Sequence, residues 1–393
     1  MKFKSIEGLR GWMAWWVVVG HAIWLTGTAQ WLPGPVAKVV MSTDIAVNVF
    51  IIVSGFVITH LLASARESYS QYLWRRFLRI APIYVFCLFL AIAVTDWYMH
   101  VFVDQPWAVQ QAMRIDRLAQ TNEHWWTHLG AHLTLLHGLI PASVLTYSPS
   151  TFLAPAWSLS LEWQFYLLAP VIVSLMTRSL RSACITLAVL LAAGIASSIV
   201  FEGQYEFPSM LLLSIQYFMV GIVSRLVLSR LRPLPVSPVI LLLAICPLVV
   251  YTRSLELAVW ALFAIFILQE SGLLAGGSRA FALLQYALGT NPVMRSLGTF
   301  SYSTYLIHLP TIAIVVHLYD AWRPIEQQMD IVIATVLAIV VVLMVSPLTY
   351  YLIEKPFIDI GKKQRVARAD VARMGPAGSA QTALKTASVE NSP

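Results

Sequence analysis

Apolar runs of membrane-spanning length, separated by short polar segments, dominate the pattern of this chain. A bilayer's hydrocarbon core is roughly 30 Å thick, and a helix rising about 1.5 Å per residue crosses it in about 20 residues. Ten such runs lie near residues 11–31, 45–64, 77–98, 157–177, 183–200, 209–228, 236–251, 255–272, 299–318 and 331–353. An eleventh stretch, Trp125–Tyr147, is interrupted by His128, His132 and His137, and is read as an interfacial or re-entrant helix. The pattern therefore predicts an all-α, polytopic membrane protein with about ten transmembrane helices. Its membrane domain is expected to occupy residues 1–360. Residues 361–393, rich in Ala, Ser and basic residues, show no apolar period and are expected to form a disordered cytoplasmic tail.

Composition supports the same class. The chain is 58% hydrophobic and only 11% charged, whereas a soluble domain carries roughly 25% charged residues. The net charge of +7 does not point to nucleic acid, because the basic residues sit between apolar runs as topology signals do. With the N-terminus inside, 21 of the 26 Lys and Arg fall in inner segments and 5 in outer ones. That bias predicts cytoplasmic termini and an even number of spans. It also makes 99–156 a large outer segment. Cys87, Cys184 and Cys246 lie within apolar runs without ligand spacing, so neither a disulfide framework nor a metal site is expected. The basic N-terminus resembles a signal peptide, but its apolar run is too long and lacks a cleavage site. It is read as a retained anchor.

The polar residues inside the runs are the candidates for chemistry. Arg10 and His21 are eleven residues apart, close to three helical turns, so they share a face about 16 Å apart. Arg10 at one membrane surface would place His21 near the midplane, where an ionisable group is costly unless it lines a cavity. A packing histidine with a flanking topology charge would also account for this pair taken alone. Arg75, Arg76 and Arg79 open the third span. Their guanidinium groups suit a phosphate-rich ligand at the inner face, although positive-inside topology explains one or two of them. Glu162 lies about 7–8 Å inside the outer boundary, one turn after Ser158; a structural role and a functional one are equally open. Asn48 could hydrogen-bond into a cavity, while Ser54-Gly55 reads as helix packing. Ser301, Tyr302, Tyr305 and His308 open the ninth span, His308 near the midplane and the tyrosines placed as interface anchors would be. Glu354 and Lys355 read as an interfacial ion pair.

Six segments, in order, carry a resemblance: GLRGWMAWWVVVGHA, NVFIIVSGFVIT, RRFLRIAP, WSLSLEWQFYLLAP, SYSTYLIHLP and the terminal EKPF. Together they resemble the signature segments of the membrane-bound acyltransferase family 3, whose members O-acetylate lipopolysaccharide, peptidoglycan, exopolysaccharide, Nod factors and macrolides. The resemblance spans most of residues 5–357. It implies a bacterial inner-membrane O-acyltransferase that moves an acyl group, usually acetyl from cytoplasmic acetyl-CoA, to a hydroxyl of a carbohydrate or glycoside. It implies no permanently bound cofactor, and polysaccharide-biosynthesis proteins as possible partners. Arg10 and His21 match the family's Arg-x10-His motif, and Arg76 and Arg79 its Arg-x-x-Arg motif. Ser158 and Glu162 match its Ser-x-x-x-Glu-x-x-Phe-Tyr-Leu pattern. Asn48 departs from the Asp that many members carry, and no acid role is expected there. The family's optional C-terminal periplasmic hydrolase-like domain is expected to be absent. On this reading His21 and Glu162 are catalytic; Arg10, Arg75, Arg76 and Arg79 bind the donor; Asn48, Ser158, Ser301, Tyr302 and His308 support the site. Two alternatives share the features: an acyl relay to a separate transferase, and a proton-coupled anion transporter.

Overall fold

The computed structural model describes residues 3–64 and 67–364. Within them the chain is helical almost throughout, and the only strand-like pairing is an isolated bridge between Leu234 and Leu274. The N-terminal part comprises α1 (Lys4–Thr26), α2 (Gly34–Met41), α3 (Thr43–Ser64), α4 (Tyr69–Ala93) and α5 (Thr95–Met99). The expected outer segment holds α6 (Gln111–Glu123) and α7 (Trp125–Leu133). Then come α8 (Trp157–Arg178), α9 (Leu180–Val200), α10 (Ile215–Leu228), α11 (Pro238–Thr252) and α12 (Leu255–Glu270). The chain closes with α13 (Arg279–Gln285), α14 (Pro292–Thr299), α15 (Ser301–Trp322) and α16 (Gln328–Thr349).

Six helical stretches are long and apolar enough to cross a bilayer: α3, α4, 154–178, α9, 211–228 and 328–364. A seventh is the pair 279–299 and α15, bent by 54° at its break. The other expected spans differ in kind. The 23 residues of α1 include four tryptophans and a histidine, which dilute its apolar character. Helices α11 and α12 have only 15 and 16 residues. The nine residues of α7 cannot cross a hydrocarbon core, in keeping with an interfacial reading of that segment. The last helical stretch runs beyond the expected span 331–353 and the expected domain boundary at 360 to Gln364, with Lys362 bonded to Asp359 at 2.9 Å. The rest of the expected tail lies outside the described residues.

Helix α1 is the centre of the bundle. Leu9, Ala14, Val18 and Leu25 are fully buried, and the helix packs against α3, α14, α15 and α16. Small residues allow the closest approach. A Cβ on Gly11 would lie 2.6 Å from the Met294 carbonyl oxygen of α14, so only glycine fits this crossing. Gly55 of α3 likewise faces the Phe218 backbone of α10, the packing role expected of it. Such crossings hold α1 in one rotation and fix where Arg10 and His21 point. Helix α9 sits at the rim, with Leu180, Ile185, Val189, Ile195 and Ile199 exposed on a lipid-compatible face.

Candidate active site

Two polar clusters lie along α1, one near each of its expected functional residues. The first pairs the mid-membrane histidines. His308 Nε2 is 3.1 Å from His21 Nδ1, and the ring centroids are 5.0 Å apart. Protons can be assigned by following acceptors. His308 Nδ1 lies 2.9 Å from the Tyr305 carbonyl, which can only accept, so Nδ1 carries the proton. In the neutral ring His308 Nε2 is then an acceptor. His21 Nδ1–H donates to it and to the Val17 carbonyl at 3.0 Å. The lone pair of His21 is thereby left on Nε2, the atom a general base uses. His21 lines a cavity of about 830 Å³. Trp24, Asp44, Arg114 and Trp157 also line it, so it opens toward the expected outer segment.

Tyr305 connects this pair to α8. Its hydroxyl donates to the Pro155 carbonyl at 3.0 Å and accepts from Ser158 at 3.0 Å. Its ring centroid is 6.3 Å from that of His308. Ser158 therefore braces the histidine wall through Tyr305. The expectation of Tyr305 as an interface anchor is corrected: the side chain is buried. Tyr302 is half-buried, and its hydroxyl is enclosed without a hydrogen-bond partner.

The second cluster gathers the arginines. Arg76 lies over the Tyr166 ring, 5.8 Å from its centroid. Arg79 is in the electrostatic field of Glu354, Glu162 and Glu7, and Arg10 in that of Glu354. Glu162 accepts hydrogen bonds from Ser54 at 3.2 Å and from the Tyr166 hydroxyl. Its bonded partners thus tie it to the arginine side of α8, and it does not line the His21 cavity. Glu354 is also drawn in. It is buried and accepts from Ser303 at 2.8 Å, while Lys355 pairs with Asp359 at 3.2 Å. The expected Glu354–Lys355 pair is therefore replaced, because a carboxylate facing two arginines is better compensated there than at the interface. Arg75 leaves the cluster: its Nη1 meets Glu67 at 2.5 Å. Three arginines, partly balanced by Glu354, Glu162 and Glu7, take the place of the four expected. Arg76 Nε, Ser301 Oγ and Tyr302 Oη are all buried without a hydrogen-bond partner among the described residues.

Asn48 is buried on α3 away from the cavity wall, where Asp44, one turn earlier, takes the lining position. No signal within one sequence singled out Asp44, Trp24 or Arg114. Each reads as an ordinary boundary residue until the helices are assembled. Among the described residues no group of three His, Cys, Asp or Glu could hold a metal.

This arrangement sets a histidine pair and an arginine cluster at two levels along α1, and residues 3–351 match the family model described as an acyltransferase domain. The chain belongs to membrane-bound acyltransferase family 3. It is a multi-pass membrane acyltransferase. No curated protein and no solved structure matches it.

Proposed function

We propose that this acyltransferase moves an acyl group, most simply acetyl, from acyl-CoA on the inner side to a hydroxyl of a carbohydrate or glycoside on the outer side of a bacterial inner membrane. The observation that carries the reading is the pair of polar clusters beside α1: His21, bonded to His308, lines an outward cavity, and Arg10, about 16 Å inward, shares the field of Glu354 with Arg79. The arginines suit the donor's phosphates, and the extended pantetheine arm covers the distance between the clusters. His21 Nε2 takes the acceptor's hydroxyl proton as the oxygen attacks the thioester carbonyl. The tetrahedral intermediate then expels the thiolate, which is protonated to give free CoA. His308 holds the His21 tautomer, the task that orienting groups perform for catalytic histidines. Glu162, bonded to Tyr166 and Ser54, acts by positioning the arginine cluster and Tyr166.

His21→Ala is expected to abolish transfer, and Arg10→Ala to raise the KM for acyl-CoA. The measurement is acetyl transfer by purified protein in liposomes, with expression checked in each variant. Wild-type transfer by His21→Ala would remove the histidine from the mechanism. Substrate flux without acylation would favour the transporter. Donor turnover that needs a second protein would favour the relay.

A further inference from the structure

The outer cavity carries a charge that acyl transfer to a neutral hydroxyl does not require. Arg114 of α6 is only 6% exposed. It stands on the wall shared by the His21 cavity and an adjoining one of about 720 Å³. Its Nη1 donates to the Val109 carbonyl and its Nε to the Tyr98 hydroxyl at 3.3 Å. The guanidinium carbon lies 5.3 Å from the Phe102 ring centroid. These contacts aim the group, and none of them neutralises it. Arg117, one turn later, differs: its Nη2 meets Glu206 at 2.5 Å. Asp44 lines the same cavity but is exposed, and it forms no ion pair with Arg114 among the described residues. Water screens an exposed carboxylate across a cavity, so it offsets a buried cation poorly. A buried guanidinium without a counter-charge is costly, and an arriving anion relieves that cost.

The remaining walls fit a sugar ring. Trp24 sets its ring edge-on to His21 at 5.5 Å, and Trp157 stacks on Phe207 at 5.3 Å, giving apolar surface beside polar groups.

We propose that this cavity is the acceptor subsite and that Arg114 selects a sugar bearing an anionic group, a carboxylate or a phosphate ester, near the hydroxyl presented to His21. The proposal rests on the acyl-transfer reading and names its acceptor class. The test uses the full-length protein in neutral detergent, titrated with glucuronic acid, glucose 6-phosphate and glucose. Binding is read by tryptophan fluorescence, and acetyl transfer to the same sugars by mass spectrometry. The wild type is expected to prefer one anionic sugar over glucose by about tenfold, the scale of one charge-assisted contact. Arg114→Gln should erase the preference and Arg114→Lys should keep most of it. Equal or absent binding of the three sugars overturns the proposal. So does a preference that survives Arg114→Gln, or an equal loss in the Gln and Lys variants, which would make packing rather than charge the cause. If added phosphatidylglycerol displaces the anionic sugar completely, a lipid headgroup is the occupant and the proposal fails. Failure of the parent reading is distinguishable: sugar preference would persist while acetyl-CoA went unused.

Discussion

At the residue scale, the consequence of the His21–His308 contact is that one imidazole fixes the tautomer of the other. His308→Phe removes the acceptor for His21 Nδ1–H without touching the arginine cluster. Transfer is expected to fall by about 10²-fold, within the usual range for acid–base groups, with the KM for acyl-CoA nearly unchanged. Steady-state kinetics separate the two effects. A second histidine pair sits in the outer segment. His132 and His137 stack with centroids 3.9 Å apart. Tyr84 donates to His132 Nδ1 at 2.8 Å, and each ring's Nε2 donates to a backbone carbonyl at 3.1 Å. Burial pushes His137 down to about 4 and lowers His132 as well, with each adjacent ring adding to the effect for His132. Both are therefore neutral when folded, and the unfolded chain, with histidines near 6.5, takes up protons first. Stability is full above about pH 6.5 and declines as pH falls toward 4. Thermal unfolding midpoints between about pH 7 and about pH 4.5 should fall in the wild type. His137→Phe, which keeps an aromatic ring in the stack, should make that fall shallower; an unchanged slope would show that the pair does not titrate on unfolding.

At the scale of elements, α1 acts as a ruler only because glycine lets it sit against α14. Gly11→Val would drive side-chain carbons into the Met294 carbonyl, which belongs to backbone and cannot swing away. Overpacking of this kind costs roughly 1–3 kcal/mol, and the shift in α1 would also misplace Arg10 and His21. Lower thermal stability and lost transfer should therefore appear together. Gly130→Ala on α7, where a Cβ meets nothing within 4 Å, is the matched control and should be neutral or slightly stabilising. Much of this was legible in the sequence. The eleven-residue spacing of Arg10 and His21 survives because a helix of fixed rise carries both, and three histidines broke the pattern of 125–147 visibly. What sequence could not show was partnership between distant segments. Glu354 looked committed to its neighbour Lys355, yet a carboxylate at the end of a helix can turn either way. The turn toward Arg79 depends on α4 lying alongside, which no local pattern encodes. Arg114 was likewise counted as an outer topology charge, since its burial follows from how the outer segment folds over α1.

At the scale of the whole molecule, parity constrains which helices cross. The seven stretches that meet the length and apolarity of a span become eight with α1, whose Arg10 and His21 require it to run inward. Helices α11 and α12 form a consecutive pair, so counting both or neither leaves the number even and the termini on one side. The 21-to-5 distribution of basic residues is therefore compatible with eight spans or ten, and charge counting alone does not separate them. The tip of this hairpin does. At 15 residues, α11 is about 22 Å long if straight, short of a hydrocarbon core of roughly 30 Å. The bilayer must thin locally, or the hairpin must enter from the inside and return. Tyr251, 86% exposed near the tip, reports the outcome when replaced by cysteine in a background where Cys184 and Cys246, both exposed, are changed to serine. Ten spans require Tyr251→Cys to react with a membrane-impermeant maleimide added outside intact cells, as Trp126→Cys on α7 should. Labelling of the Trp126 variant alone would make α11–α12 a re-entrant hairpin and set the count at eight, with both termini still cytoplasmic.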